Sequence, residues 1–216
     1  MRHISILNFR YFVFTLALGY WFYQFMVTDY TMMGLQFRLL TFWGLTGAVS
    51  VAWLMLSFSR KWLPPGHDAL VSAVAVLNGI VVFLYWKIYF IDPALVNGSD
   101  PIVWYQEYYL HAVGPDLMIA DALFINGALK QRHKGLLLTV LICLAYIFWT
   151  EAITRPLNDT PICSVASGLP YPFLNDMTLP SRIGFYATTI ATSLLMYLAS
   201  WMIGIMFPKL SFQPSA

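Results

Sequence analysis

Apolar residues follow one another in long continuous runs along this chain. There are 18 residues without a charge between Arg10 and Asp29, 21 between Arg38 and Arg60, and 18 between Asp68 and Lys87. A further 16 lie between Lys134 and Glu151, and 26 between Arg182 and Lys209. A helix needs roughly 20 mostly apolar residues to cross a hydrocarbon core about 30 Å thick. Five runs meet that requirement, and a sixth, from Tyr108 to Leu129, does so only if His111, Asp116 and Asp121 are tolerated inside it. Closed barrels are disfavoured because the runs do not alternate with period two. The pattern therefore predicts an all-α integral membrane protein with six transmembrane helices, at about 9–28, 37–59, 69–91, 106–129, 135–153 and 182–207. The first run is aromatic-rich (Tyr20, Trp21, Phe22, Tyr23) and has no small-x-small exit before Asp29, so it reads as a retained span.

Composition sharpens the class. Only 10% of the 216 residues are charged and 59% are hydrophobic, against about 25% charged in a soluble domain. Such a chain cannot clothe a water-facing surface, and its apolar content excludes disorder. No basic patch points to nucleic acid. Eight of the 12 Lys and Arg residues fall on one side of the expected topology, at the N-terminus, the loops after spans two and four, and the tail. Positive-inside bias then places both termini in the cytoplasm. Short connections at 60–68 and 130–134 favour antiparallel neighbours, so residues 1–216 read as one six-helix bundle. The expected home is the cell (inner) membrane, or the endoplasmic-reticulum membrane if the chain is eukaryotic. The 154–181 connection, with Pro156, Pro161, Pro170, Pro172 and Pro180, is long enough to be a lid or a structural cap.

Ionisable groups inside spans mark functional sites by default. Glu107 and His111 are i and i+4, so they share one helix face, and the carboxylate can fix the imidazole tautomer. Pro115 deprives the His111 carbonyl of its usual donor and predicts a helix break. An interfacial Glu–His pair beside a packing kink is the plainer alternative. Thr41 lies three residues past Arg38, about 4–5 Å deeper, and His111 four past Glu107, about 6 Å deeper. A hydroxyl and an imidazole at matching depth can form a nucleophile–base pair.

Four blocks carry a family resemblance: Leu40-Thr41-Phe42, Trp86-Lys87-Ile88-Tyr89-Phe90-Ile91-Asp92, the stretch opening at His111, and Tyr171-Pro172-Phe173-Leu174 followed by Arg182. In order and spacing, from Phe37 to Met206, they resemble the androgen-induced-protein family of six-span membrane threonine hydrolases, which cleave fatty acid esters of hydroxy fatty acids. The resemblance implies Thr41 as nucleophile and His111 as base. Glu107, Asp121 and Asp92 are then candidate orienting or supporting groups, and Trp86, Tyr89, Asn126 and Arg182 candidate substrate-pocket residues. An oxyanion site is also required. Its candidates are backbone N–H groups at the start of span two or four, or the side chains of Tyr89 or Asn126. The expected partner is a lipid ester within the bilayer, with no obligatory protein partner.

Cofactors are not expected. The histidines at 3, 67, 111 and 133 form no HxxxH or Cys/His cluster, and Cys143 and Cys163 read as two free thiols. Two other classes stay open. A small transporter would use Asp116 and Asp121 as a polar pathway, although matched broken helices are missing. A non-catalytic lipid-binding protein would have the cavity without the chemistry. Gly44 and Gly47 are only three apart and do not form the usual dimer motif.

Overall fold

The computed structural model describes residues 2–64, 66–97, 103–127, 132–158 and 168–206. Among the described residues the secondary structure is entirely helical. The long elements are α1 (Arg2–Met26), α2 (Leu40–Ser59) and α3 (Asp68–Tyr89). Next comes an interrupted helix, α4, built from Trp104–Tyr108, a π-turn at Tyr109–Val113, Gly114–Ala120 and a second π-turn at Asp121–Asn126. α5 (Arg132–Phe148) continues through a π-turn at Trp149–Thr154 into Arg155–Leu157, and α6 is Leu179–Met206.

Four of these helices are long and apolar enough to cross a membrane: α2, α3, α6 and the stretch His133–Leu157 of α5. The protein is a multi-pass membrane protein. The other two expected spans differ in character. α1 has the length, at 25 residues, but not the mean hydropathy. α4 carries Glu107, Asp116 and Asp121, and its longest regular α-helical piece is seven residues. Both pack against α2, and the buried Arg10 of α1 and Asp121 of α4 pair with each other while Asp116 is exposed.

α3 is the centre of the bundle. It packs against α2, α4, α5 and α6, and Val71 to Asn78 is buried without a break. A helix that is apolar all round belongs inside. α2 reaches it closely through small residues. A Cβ on Gly47 would sit 3.0 Å from a Val74 methyl, and one on Gly44 would sit 3.4 Å from Asn78 Oδ1. Asn78 Nδ2 donates to the Gly44 carbonyl at 3.2 Å and to Val74 O at 2.9 Å, so this polar group is satisfied across the interface. The two glycines thus serve packing within the chain. By contrast α5 and α6 turn Leu137, Leu141, Leu144, Phe148, Leu195 and Met202 outward, as lipid-facing helices do.

The end of the bundle where α2 begins is closed by a compact cap. Asn175 exchanges hydrogen bonds with both backbone groups of Leu169, and Leu169 and Leu174 are buried. Gly168 adopts φ +64, and a Cβ there would strike the Arg155 carbonyl and the Asn158 backbone. Asn158 in turn clamps both backbone groups of Met33, in the loop before α2. Residues 168–176 are therefore a packed structural segment rather than a loose flap. The expected 154–181 loop also includes 159–167, with Pro161 and Cys163, which lie outside the described residues.

Candidate active site

The site lies where the first turn of α2 meets the first π-turn of α4. Leu39 is extended (φ −92, ψ 131), so α2 starts abruptly at Leu40 and Thr41 falls in its first turn. Thr41 Oγ1 is 3.2 Å from His111 Nε2. The other ring nitrogen, Nδ1, is 3.1 Å from Glu107 Oε2, and both side chains are largely buried. The sequence separation of four places Glu107 under the imidazole. The π-turn at Tyr109–Val113 then sets the direction in which His111 points, and such turns concentrate at functional sites. With the proton on Nδ1 facing the carboxylate, Nε2 is left as an acceptor for the Thr41 hydroxyl.

Two aromatic residues fix the imidazole. Tyr85 stacks on it with ring centroids 3.5 Å apart and planes 5° from parallel. Trp86 Nε1–H donates to the His111 carbonyl at 2.7 Å. That carbonyl faces Pro115, four residues on, which has no N–H to offer. An indole from α3 thus supplies the donor that the proline lacks.

On its other side Thr41 faces a cavity of about 80 Å³ between α3, α5, α6 and the cap. The walls include Leu77, Ile80, Cys143, Phe173 and Ile190, together with four tyrosines: Tyr85, Tyr146, Tyr171 and Tyr186. Leu40 N–H, one of the donors that a helix start leaves without an intrahelical partner, donates to the Tyr171 hydroxyl at 3.0 Å. Burial pushes the Tyr171 phenol above the ordinary tyrosine value, so it stays protonated at neutral pH.

Residues 6–203 match the family described as FAR-17a/AIG1-like protein. The chain belongs to that family. The match runs from α1 nearly to the end of α6, and so takes in every residue of the Thr41–His111–Glu107 array. Comparisons with curated proteins and with solved structures each return no significant match.

The structure of this FAR-17a/AIG1-like chain sorts the remaining candidates. Trp86 and Tyr89 do not line the cavity at Thr41. Together with Phe90, Trp104, Glu107 and Tyr108 they surround a separate, open recess of about 460 Å³, and Tyr85 is the wall shared by the two spaces. Asp121 is not at the dyad. It accepts from Arg10 Nε at 3.0 Å and from Arg10 Nη2 at 2.8 Å, while Arg10 Nη1 donates to Met55 O and Ser59 Oγ. Asn126 bonds Asp68 at 3.3 Å, near the start of α3 and far from Thr41. Asp92 accepts from Ala94 N–H and so caps the short helix Ala94–Asn97. Arg182 is a turn inside α6, bound through Nε to Glu151 at 2.9 Å and through Nη1 to the Met177 carbonyl. Its partner is a carboxylate of the chain itself, which Arg155 and Tyr186 also bond.

Sequence reasoning missed Tyr85, Tyr146 and Glu151. Tyr85 adjoins Trp86 and is one turn ahead of Tyr89, so aromatic density was its one available signal. Among the described residues, no three His, Cys, Asp or Glu side chains gather as a metal site would require.

Proposed function

We propose that the protein is an intramembrane hydrolase of lipid esters. It would comprise six spans with both termini cytoplasmic, Thr41 as nucleophile and His111 as base. The observation that carries this reading is the Thr41–His111–Glu107 array opening onto an apolar cavity. His111 Nε2 takes the hydroxyl proton as Thr41 Oγ1 bonds to the ester carbonyl carbon. The tetrahedral intermediate collapses, and the leaving alkoxide takes the proton from His111. Water, deprotonated by the same nitrogen, then releases the acyl group as the acid and frees Thr41. Glu107 holds the tautomer and offsets the charge of the transient imidazolium. The apolar walls suit an acyl chain, and resemblance to the androgen-induced-protein hydrolases points to fatty acid esters of hydroxy fatty acids.

The transporter reading loses support from the geometry. Asp116 is on the exposed surface, and Asp121 is neutralised by Arg10.

The test is covalent labelling of the purified full chain in detergent with a lipid-like fluorophosphonate. The expected result is an adduct on Thr41 by peptide mass spectrometry, lost in Thr41→Ala and in His111→Ala. An adduct elsewhere, or none on folded protein, would overturn the assignment.

A further inference from the structure

The nucleophile–base pair leaves one requirement of ester cleavage unmet: a donor for the carbonyl oxygen as it becomes an oxyanion. Four tyrosines line the cavity beside Thr41, and their protons are not equivalent. Tyr146 donates its own to the Arg38 carbonyl at 2.9 Å. Tyr186 donates to Glu151 Oε1 at 2.9 Å. Tyr85 receives Asn97 Nδ2 at 3.4 Å, and its ring is stacked on the His111 imidazole. Tyr171 is different in kind. Its oxygen accepts from Leu40 N–H, the residue next to Thr41 in the first turn of α2, and it lines the same cavity as Thr41.

The geometry points to Tyr171 as the oxyanion donor of this site. The inference rests on Thr41 being the nucleophile. The α2 N-terminus, where backbone N–H groups carry partial positive charge, holds and polarises the phenol oxygen through Leu40. Hydrogen bonds in such a chain strengthen one another, so the outer proton becomes a stronger donor. As Thr41 Oγ1 bonds to the carbonyl carbon, the π pair moves onto the carbonyl oxygen, and that oxygen receives the Tyr171 O–H. The phenol lends a hydrogen bond and keeps its proton throughout, while the proton of Thr41 goes to His111 Nε2. The cap segment 168–176 thereby has a chemical task beyond closing the bundle, since it carries this hydroxyl to the nucleophile.

The experiment compares wild type with Tyr171→Phe and Tyr30→Phe, as full chains in detergent, on a long-chain 4-methylumbelliferyl ester. Removing one oxyanion donor is expected to lower kcat by about 10²–10³-fold with KM little changed. Affinity for a long-chain trifluoromethyl ketone, which forms the tetrahedral adduct, should fall in parallel. Tyr30→Phe should stay close to wild type, because the Tyr30 hydroxyl is exposed and donates to the Phe25 carbonyl away from the cavity. Turnover of folded Tyr171→Phe within threefold of wild type would overturn the inference while leaving Thr41 intact. Wild type without a Thr41 adduct would instead sink the underlying hydrolase reading. If Tyr171→Phe does not fold, fluorotyrosine installed at 171 decides. Its more acidic phenol should move the alkaline limb of the pH–rate profile downward, and an unmoved limb would overturn the proposal.

Discussion

Two of the three carboxylates on α4 are shielded from solvent, Glu107 near its start and Asp121 near its end, each at a π-turn. Asp121 meets a full cation: the Arg10 guanidinium pairs with it and spends its remaining donors on Met55 O and Ser59 Oγ. Every contact in that group ends in another protein atom, which makes it a clamp tying α1, α2 and α4 together. Glu107 meets an imidazole instead. The far nitrogen of that ring meets a hydroxyl, and the hydroxyl faces an empty apolar space. An ionisable residue in a membrane-embedded helix is a functional candidate by default. What separates these two is whether the chain of contacts closes on itself or ends at a cavity where a ligand can continue it.

Substitutions at the two ends should therefore fail differently. Thr41→Ala is expected to lower kcat by roughly 10⁴-fold or more, with thermal unfolding unchanged. A Thr41→Ala protein that retains turnover would place the nucleophile elsewhere. Asp121→Asn should do the opposite, costing about 3–5 kcal/mol of stability because it strands a buried guanidinium. Turnover per folded molecule should persist. Arg10→Met combined with Asp121→Leu should recover much of that loss, since an apolar pair can replace a buried ion pair. Detergent-titrated unfolding and turnover, measured on the same samples, separate the two effects. Glu107→Gln belongs with Thr41 and should lower kcat by about 10²–10⁴-fold by disturbing the imidazole tautomer, again at near-constant stability. If Glu107→Gln unfolded the protein as Asp121→Asn does, the two ends would be alike and the contrast would fail.

The contrast was only half legible in the sequence. Uncharged runs gave four apolar helices directly, because hydrocarbon thickness fixes a length that composition must match. Arg38 and Glu107 worked as depth marks, since a local count along two helices places Thr41 and His111 at one level without tertiary knowledge. Asp121 misled because sequence shows which helix carries a group, not where that group ends up. Ten residues past His111 is about 15 Å along a helix, and its partner Arg10 lies 111 positions away. Arg182 was obscure for the same reason, its partner Glu151 being a helix earlier. Tyr171 stood out only as part of a family block, because its contact with the Leu40 N–H depends on a donor that exists only where α2 begins.

The finest test of the comparison is Trp86. The indole replaces the donor that Pro115 removes from the His111 carbonyl, so it joins the backbone break in α4 to the placement of the imidazole. Trp86→Phe keeps an aromatic ring and deletes only the N–H. It should cost about 1–3 kcal/mol of stability, the usual price of leaving a buried carbonyl unpaired. It should also lower kcat by about tenfold, because small displacements of a catalytic group are felt strongly. Both changes should shrink when Pro115→Ala is added, since alanine returns an N–H four residues past His111. A Trp86→Phe protein that loses stability but not kcat would make the indole a structural strut. Recovery of both by Pro115→Ala would establish that the helix break, and the indole that completes it, hold His111 against Thr41.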